Sequence, residues 1–384
     1  MTRIHDLVEP FGGKNILELH RFGNATLTRG AFGHISLALR SDDQKYELVA
    51  IKQIQGTLNN LQTDAFYEIK TLCALQSTDK NEPHPNIVKL LAVYAKDSSS
   101  WSLAFEYCPV DLSLSLEWRR RRRKHPRLLH INIIRLIARD IWNALSFCHA
   151  KGIVHRDIKP GNLLVSKDGY VRLCDFGLAR SCAGDSKGLC TLFYRAPESL
   201  LGDTQNCRPA LDLFAAGLIV AELCLGRTLW EGTNEMEQLG FIFRSLGTPH
   251  ECHWPGALQL VETFHYGTLP FAPTSPQLWR TMVPRVMESS DLEDFLALTV
   301  ALDPDKRISA KRAMEHPWLC HEAVVNRTSL LCELVPDELD APIFLSSPDE
   351  ATSELGEVPV RQVLGLAKSR RAFLSQFDTW SDKC

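Results

Sequence analysis

The sequence lacks the segments that mark a membrane or secreted protein. Its longest apolar run, residues 213–220, is too short to cross a bilayer and continues into Glu222, so it predicts a buried helix. The first ten residues contain no apolar stretch of the kind that a signal peptide needs. We therefore expect no membrane partner, and we expect the protein in the nucleus and cytoplasm.

Metal-binding cysteine pairs and an excess of basic residues are also missing. None of the 12 cysteines forms a CxxC pair, and none lies near histidine at a zinc-site spacing. The cysteines are therefore expected to be reduced thiols. The formal net charge is -3 at pH 7, which argues against nucleic acid as the main ligand.

The length and the hydrophobic pattern predict an α+β protein with two lobes. A chain of 384 residues is too long for one compact core. Residues 24–55 alternate apolar and polar side chains around a polar turn, as strands do, whereas residues 63–75 and 131–151 have helical spacing. We predict a small, mainly β first lobe with one helix, and a larger, mainly helical second lobe.

The segment HRDIKPGN at residues 155–162, followed by Asp175-Phe-Gly, carries the strongest chemical signal. Magnesium prefers hard oxygen ligands, and Asn162 and Asp175 offer an amide and a carboxylate oxygen. Asp157 offers a second carboxylate and Lys159 a cation.

These motifs resemble those of the eukaryotic protein kinases over roughly residues 20–320. The resemblance implies a bilobal fold with an N-lobe at 20–106 and a C-lobe at 107–320, between an N-terminal extension at 1–19 and a partly flexible tail at 321–384. It implies ATP and Mg²⁺ as cofactors and proteins as substrates.

The resemblance also implies roles for the charged residues. Asp157 would accept the substrate hydroxyl proton, and Asn162 and Asp175 would bind magnesium. Lys159 would lie near the γ-phosphate, which is the serine/threonine-kinase arrangement. Lys52, in the segment VAIK, would contact the α- and β-phosphates.

Further residues match the nucleotide-binding positions of the family. Glu68 would pair with Lys52, and Gly30 and Gly33 would cover the phosphates, although Thr28 replaces the first glycine of that loop. The remaining expected nucleotide contacts are Leu27, Ile35, Ala50 and Leu164 around adenine, Phe105, Glu106 and Tyr107 in the hinge, and Asp111 at the ribose.

The later motifs resemble the cyclin-dependent kinase branch. Thr191 begins TLFYRAPE and would help to orient the catalytic aspartate and lysine, and residues 241–256 contain a further match. Glu198 is expected to form a buried pair with Arg307, and Asp212 is expected to anchor the catalytic-loop backbone.

Several regulatory positions depart from that branch. Tyr67 replaces the first of three arginines that grip a phosphothreonine, while Arg156 and Arg180 remain. Ala31 and Phe32 stand where the branch has phosphorylatable threonine and tyrosine. We therefore predict weaker dependence on phosphate-driven activation.

Together these features resemble single-chain kinases that activate cyclin-dependent kinases, and the cell-cycle-related kinase. We hypothesise a monomeric kinase of this type, with another cyclin-dependent kinase among its candidate substrates. Two alternatives stay open: a kinase that needs a cyclin, and a scaffold without activity, which Thr28 and the short activation loop favour but the intact catalytic charges oppose. The sequence does not decide the physiological substrate, whether Ser186 is phosphorylated, or whether the basic run at 119–124 is a connector or a docking patch.

Overall fold

The structure is a computed structural model, and it describes residues 20–30, 33–42, 45–55, 63–76, 83–97, 100–121, 128–181, 191–203, 208–263, 274–321 and 325–335. The hypotheses on Ala31, Phe32 and Ser186 lie outside these residues, and so does most of the expected tail.

The first lobe contains a five-stranded antiparallel sheet with the strand order β1-β2-β3-β5-β4. Val49 and Ile51 alternate with Ala50 and Lys52, so the apolar pair is buried on one face and Lys52 lies on the other. The strands are β1 (His20–Gly30), β2 (Gly33–Asp42), β3 (Lys45–Gln55), β4 (Leu90–Asp97) and β5 (Ser100–Glu106).

Helix α1 (Thr63–Gln76) follows β3 and is the one helix described in this lobe. Its residues Ile69, Leu72 and Leu75 recur at helical spacing and are buried. This apolar face packs α1 onto the core, where α1 also contacts a 3-10 helix, Phe176–Leu178.

The second lobe is mainly helical and is built around two long helices, α3 (Ile131–Ala150) and α5 (Pro209–Leu225). Helix α3 is amphipathic, whereas every residue of α5 from 212 to 224 is buried. A β-carbon at Gly217 would lie 2.5 Å from Val300 Cγ2, so only glycine lets α5 approach the segment at Val300 so closely. The other helices are α2 (Leu112–Arg121), α4 (Pro197–Leu200), α6 (Glu235–Leu246), α7 (Ala257–Thr263), α8 (Trp279–Met282), α9 (Ser290–Thr299), α10 (Ala310–Ala313), α11 (Pro317–Cys320) and α12 (Arg327–Leu334).

Short strands at the start of this lobe carry the loops that face the sheet. Strand β7 (Ile153–Val154) pairs with β10 (Arg180–Ser181), and β8 lies between β6 and β9. The remaining strands are β6 (Val110–Asp111), β8 (Leu163–Val165) and β9 (Val171–Leu173). The predicted α+β, two-lobed fold is confirmed, and each helix predicted by periodicity is present.

Helix α12 lies in the part of the chain that the sequence assigned to the tail. Arg327 donates to the buried carboxylate of Asp140 at 2.9 Å, and Arg119 pairs with Glu333 at 2.9 Å. These contacts attach α12 to α3 and α2, so this portion is part of the second lobe. Within the described ranges, no helix combines the length and the apolar character needed to cross a membrane.

The expected pair of Glu198 and Arg307 is confirmed. The guanidinium donates to both carboxylate oxygens at 2.6 and 2.8 Å, and both side chains are almost fully buried. Arg307 also donates to the carbonyl oxygens of Ala210 and Ala301, which fixes α5 to the segment that follows α9.

We expect Arg307→Met to lower the free energy of unfolding by about 3–5 kcal/mol, because it leaves the Glu198 charge buried without its partner. Urea unfolding followed by circular dichroism measures the change. The control is Arg208→Ala, which removes an exposed pair with Asp305 and should cost at most about 1 kcal/mol. Equal losses in the two variants would contradict a structural role for the buried pair.

Candidate active site

The candidate site lies where the loop between β7 and β8 faces β3 and α1. Asp157, on this loop, is almost fully buried. Lys159 Nζ donates to Asp157 Oδ2 at 2.7 Å, and Asn162 Nδ2 donates to the same oxygen at 3.0 Å and to the Asp157 carbonyl at 2.8 Å. One carboxylate oxygen is therefore held by a cation and an amide from its own loop.

Thr191 holds the other oxygen of Asp157 from across the site. Its backbone N–H and its hydroxyl both donate to Asp157 Oδ1, at 3.3 and 3.4 Å. The expected contact between Thr191 and the aspartate is therefore present. It ties the start of the segment TLFYRAPE to the carboxylate and restricts its rotation.

Two carboxylates from distant parts of the chain meet at Lys52. Its ammonium donates to the two carboxylate oxygens of Glu68 at 2.9 and 2.7 Å, and to Asp175 Oδ1 at 2.9 Å. Strand β3, helix α1 and the segment before Phe176–Leu178 are thus joined by one buried cation. The predicted partner of Lys52 is in contact with it.

Electrostatics keep this cluster charged despite its burial. Burial alone would lower the pKa of Lys52, but the carboxylates of Glu68 and Asp175 outweigh it and raise that pKa well above its ordinary value. Burial also opposes ionisation of Asp175, yet the nearby ammonium lowers the pKa of this carboxyl. Burial raises the pKa of Glu68, but two short contacts with the ammonium are those of an ion pair. The cluster therefore presents a cation between two anions.

Asp175 occupies an uncommon backbone conformation, with a positive φ of 62°. The residues on each side hold it there. His155 Nε2 is 2.9 Å from the Cys174 carbonyl oxygen, and the His155 ring meets Phe176 edge-on at 4.9 Å between centroids. The turn is thus set by packing against the catalytic loop, which directs the Asp175 carboxylate to Lys52.

Asp212, at the start of α5, anchors the catalytic loop as expected. Its carboxylate accepts from the backbone N–H groups of His155 and Arg156 at 2.9 and 2.8 Å, and His149 Nε2 lies 2.8 Å away. Arg156 has a positive φ of 72°, and this anchor stabilises that strained conformation. Burial opposes the charge of Asp212, but these donors outweigh it and lower the pKa of the carboxyl.

The hinge residues lie at the end of β5 and beyond. Phe105 is partly buried against the main core and is paired across the sheet with Ala50. Glu106 accepts from the Lys89 backbone N–H at 2.8 Å and forms an ion pair with Arg172. Because these contacts use the Glu106 side chain, only its backbone remains to meet a nucleotide.

The other predicted nucleotide neighbours come from both lobes. Tyr107 lies under the Lys167 ammonium, 5.5 Å from the ring centroid, and Leu164 pairs with Asp111 between β8 and β6. Asp111 Oδ1 accepts from the Leu114 backbone N–H at 2.9 Å and so caps α2. Its expected ribose contact would have to share the carboxylate with this cap.

Of the predicted phosphate-covering loop, the structure describes the strand residues on each side, up to Gly30 and from Gly33 onward. Gly30 at the end of β1 is paired with Gly33 at the start of β2, and Thr28 is paired with Ile35. Leu27 also lies in β1. Ile35 is in turn paired with Lys52 of β3, so this part of β2 lies next to the charged cluster.

The donor set fits a magnesium ion. Asn162 uses its amide nitrogen on Asp157, so its amide oxygen is the atom available to a cation. Asp175 supplies a carboxylate whose lowered pKa keeps it ionised. Hard oxygen ligands of this kind, together with waters and substrate phosphates, are what magnesium prefers.

Sequence reasoning missed three contributors to the site. His149 and His155 support Asp212 and Asp175, and Arg172 pairs with the hinge residue Glu106 and donates to the Pro85 carbonyl at 3.1 Å. His155 is the first residue of the HRDIKPGN motif and His149 lies near the end of the helix that precedes it, which was a usable signal. Arg172 follows the pattern of an ordinary strand residue, and nothing in the sequence marks its partner.

Asp212→Asn should reduce stability at neutral pH by about 3 kcal/mol, because a buried charged acceptor is lost. A carboxyl with a lowered pKa stabilises the fold fully above its ordinary value of 3.8 and loses that contribution as the pH falls below it. The difference between wild type and variant in urea unfolding should therefore stay nearly constant from about pH 7 to about pH 4 and shrink as the pH falls further, to about pH 2. The exposed Asp305→Asn serves as the control. A difference that is independent of pH would argue against a charged Asp212.

Comparison with known proteins agrees with this geometry. The chain matches the protein kinase domain over residues 23–319. It is 35% identical over 300 residues to "Cell division control protein 2 homolog 3" of Trypanosoma brucei brucei, covering 76% of this chain and 89% of that protein. The catalytic loop, the ion pair of Lys52 with Glu68 and the TLFYRAPE segment all lie inside the matched region. The chain therefore belongs to the eukaryotic protein kinase family, in its cyclin-dependent kinase branch.

Proposed function

We propose that the protein is a serine/threonine protein kinase that acts as a single chain and phosphorylates other cyclin-dependent kinases, in cell-cycle or transcription control. The observation that carries the catalytic part is the arrangement of four residues. The Lys52 cation is held between Glu68 and Asp175, and the Asp157 carboxylate is held at both oxygens.

The proposed chemistry follows from how these groups are held. Asp157 would accept the proton of a substrate hydroxyl, and its fixed carboxylate would keep that hydroxyl aligned with the phosphorus. Lys159, 2.7 Å from Asp157, would offset negative charge on the transferred group. Lys52 would orient the inner phosphates of ATP. Magnesium, held by Asn162 and Asp175, would neutralise phosphate charge when bound.

The single-chain and activating parts of the proposal rest on the regulatory positions. Tyr67 stands where the branch has a phosphate-binding arginine. Without that arginine, the usual activating phosphate would be held less tightly, which supports a kinase that reaches its active form without it. The named trypanosome relative is a cell division control protein homologue, which agrees with a place in the same branch.

Asp157→Asn should lower the rate of phosphoryl transfer by about 10²- to 10⁴-fold, because the proton acceptor is lost while the side-chain shape is kept. The measurement is transfer of labelled phosphate from ATP to serine, threonine and tyrosine peptide libraries. We expect serine and threonine peptides to be modified. Equal background signals from wild type and variant would favour a scaffold instead of an enzyme.

Incubation of the wild-type protein with an unphosphorylated cyclin-dependent kinase and ATP should yield phosphate on an activation-segment threonine of the substrate. Mass spectrometry locates the modified residue, and Asp157→Asn is the control for contaminating kinases. Modification of library peptides without any modification of this threonine would overturn the activating role while leaving the kinase activity intact. A need for added cyclin would contradict the single-chain proposal.

A further inference from the structure

The ring of Tyr67 on α1 lies against the guanidinium of Arg180 on β10. The Arg180 Cζ atom is 4.2 Å from the Tyr67 ring centroid, well within the range of a cation–π contact. Arg180 is 91% buried, since its exposed fraction is 9%. The contact is made within one chain, between a helix of the first lobe and a strand of the second.

Arg180 is held firmly on its other side. Its Nη1 donates to the carbonyl oxygens of Gly177 and Ala179, both at 2.9 Å. Its backbone is paired with Val154 of β7. The guanidinium is thereby fixed to the turn that follows Asp175, so whatever touches it is positioned relative to Asp175.

Tyr67 directly precedes Glu68 in α1. A rotation or outward shift of α1 would carry both residues together, because a helix moves as a rigid element over one turn. The Lys52 ammonium holds Glu68 at 2.7 Å, and Arg180 holds the neighbouring ring. Two different contacts therefore restrain the same turn of α1.

We propose that Tyr67 is a positioning residue, whose ring holds α1 against Arg180 so that Glu68 stays on Lys52. The inference rests on the proposed kinase activity for its rate readout. It adds the regulation of that site: an aromatic ring of the chain itself links α1 to the Arg180 cation, so this link is made without a phosphate.

A tyrosine and an arginine at position 67 would interact with the Arg180 cation in measurably different ways. An arginine there would place a second guanidinium beside Arg180, and two like charges repel in a partly buried site. A phosphate or sulfate ion can bridge two guanidiniums through charge-assisted hydrogen bonds. A tyrosine requires no such ion, since its ring face attracts the cation directly.

The test compares Tyr67→Leu, Tyr67→Phe and Tyr67→Arg in the full-length chain. We expect about a tenfold lower kcat for Tyr67→Leu, which keeps an apolar side chain but removes the ring, and near-normal kcat for Tyr67→Phe. Lys70→Ala, at an exposed position of the same helix, is the matched control and should match wild type. Thermal unfolding verifies that each variant is folded.

Tyr67→Arg provides a readout that a merely structural role would not produce. Its kcat should be low in chloride buffer and should rise several-fold when inorganic sulfate replaces chloride at equal ionic strength. Wild type and Tyr67→Leu should not respond to sulfate. In addition, Tyr67→Leu should lower kcat only slightly when it is added to Arg180→Gln, because the contact between the ring and the guanidinium is already absent in that variant.

Hydrogen exchange separates failure of this inference from failure of the proposed function. Backbone amides of α1 should exchange faster in Tyr67→Leu than in wild type or Tyr67→Phe, and this measurement requires no catalytic activity. Inactive wild type with this exchange pattern would overturn the function but support the positioning role. Three results would each overturn the inference. The first is a Tyr67→Leu variant with wild-type kcat and hydrogen exchange, and the second is an equal loss of kcat in Tyr67→Leu and Tyr67→Phe. The third is a folded Tyr67→Arg variant whose kcat does not respond to sulfate.

Discussion

The buried ammonium of Lys52 is the interaction on which the arrangement of the site depends. It contacts Glu68 from α1 and Asp175 from the second lobe, so one cation joins a sheet, a helix and the segment that begins at Asp175. Removing it would leave two carboxylates without their counter-charge in a low-dielectric environment, which is costly. The same charge distribution that stabilises the interface is what the phosphates of a nucleotide would meet.

A second layer of contacts keeps the reacting groups in strained or restricted conformations. Asp212 secures the backbone around Arg156, and His155 secures the turn at Asp175, where both residues have positive φ. The first of these restraints comes from α5, with His149 of α3 beside it, and both helices lie in the core of the large lobe. The helical core thus holds the catalytic loop in a precise geometry that a loop by itself would not keep.

Two contacts between the lobes show how the control of this kinase can differ from that of its relatives while the phosphoryl-transfer groups stay the same. The ion pair of Arg172 with Glu106 fixes the hinge, and the contact of Tyr67 with Arg180 fixes α1. Neither contact uses a group that reacts with ATP. Changes at such positions can therefore alter how the site is held without altering the groups that perform the transfer.

The sequence by itself determined the fold class, the family and the charged residues of the site. Phosphoryl transfer demands particular groups, and the spacing of Asp157, Asn162 and Asp175 follows from loop geometry that is local in the chain. Some supporting side chains were also indicated by the sequence, but only the tertiary structure decided the contacts of Arg172 and Tyr67. Arg172 looks like an ordinary strand residue, the sequence marks Tyr67 only as a departure from the family pattern, and each meets a partner far away in sequence. Such pairings depend on how the lobes pack together, and no local pattern of residues encodes that packing.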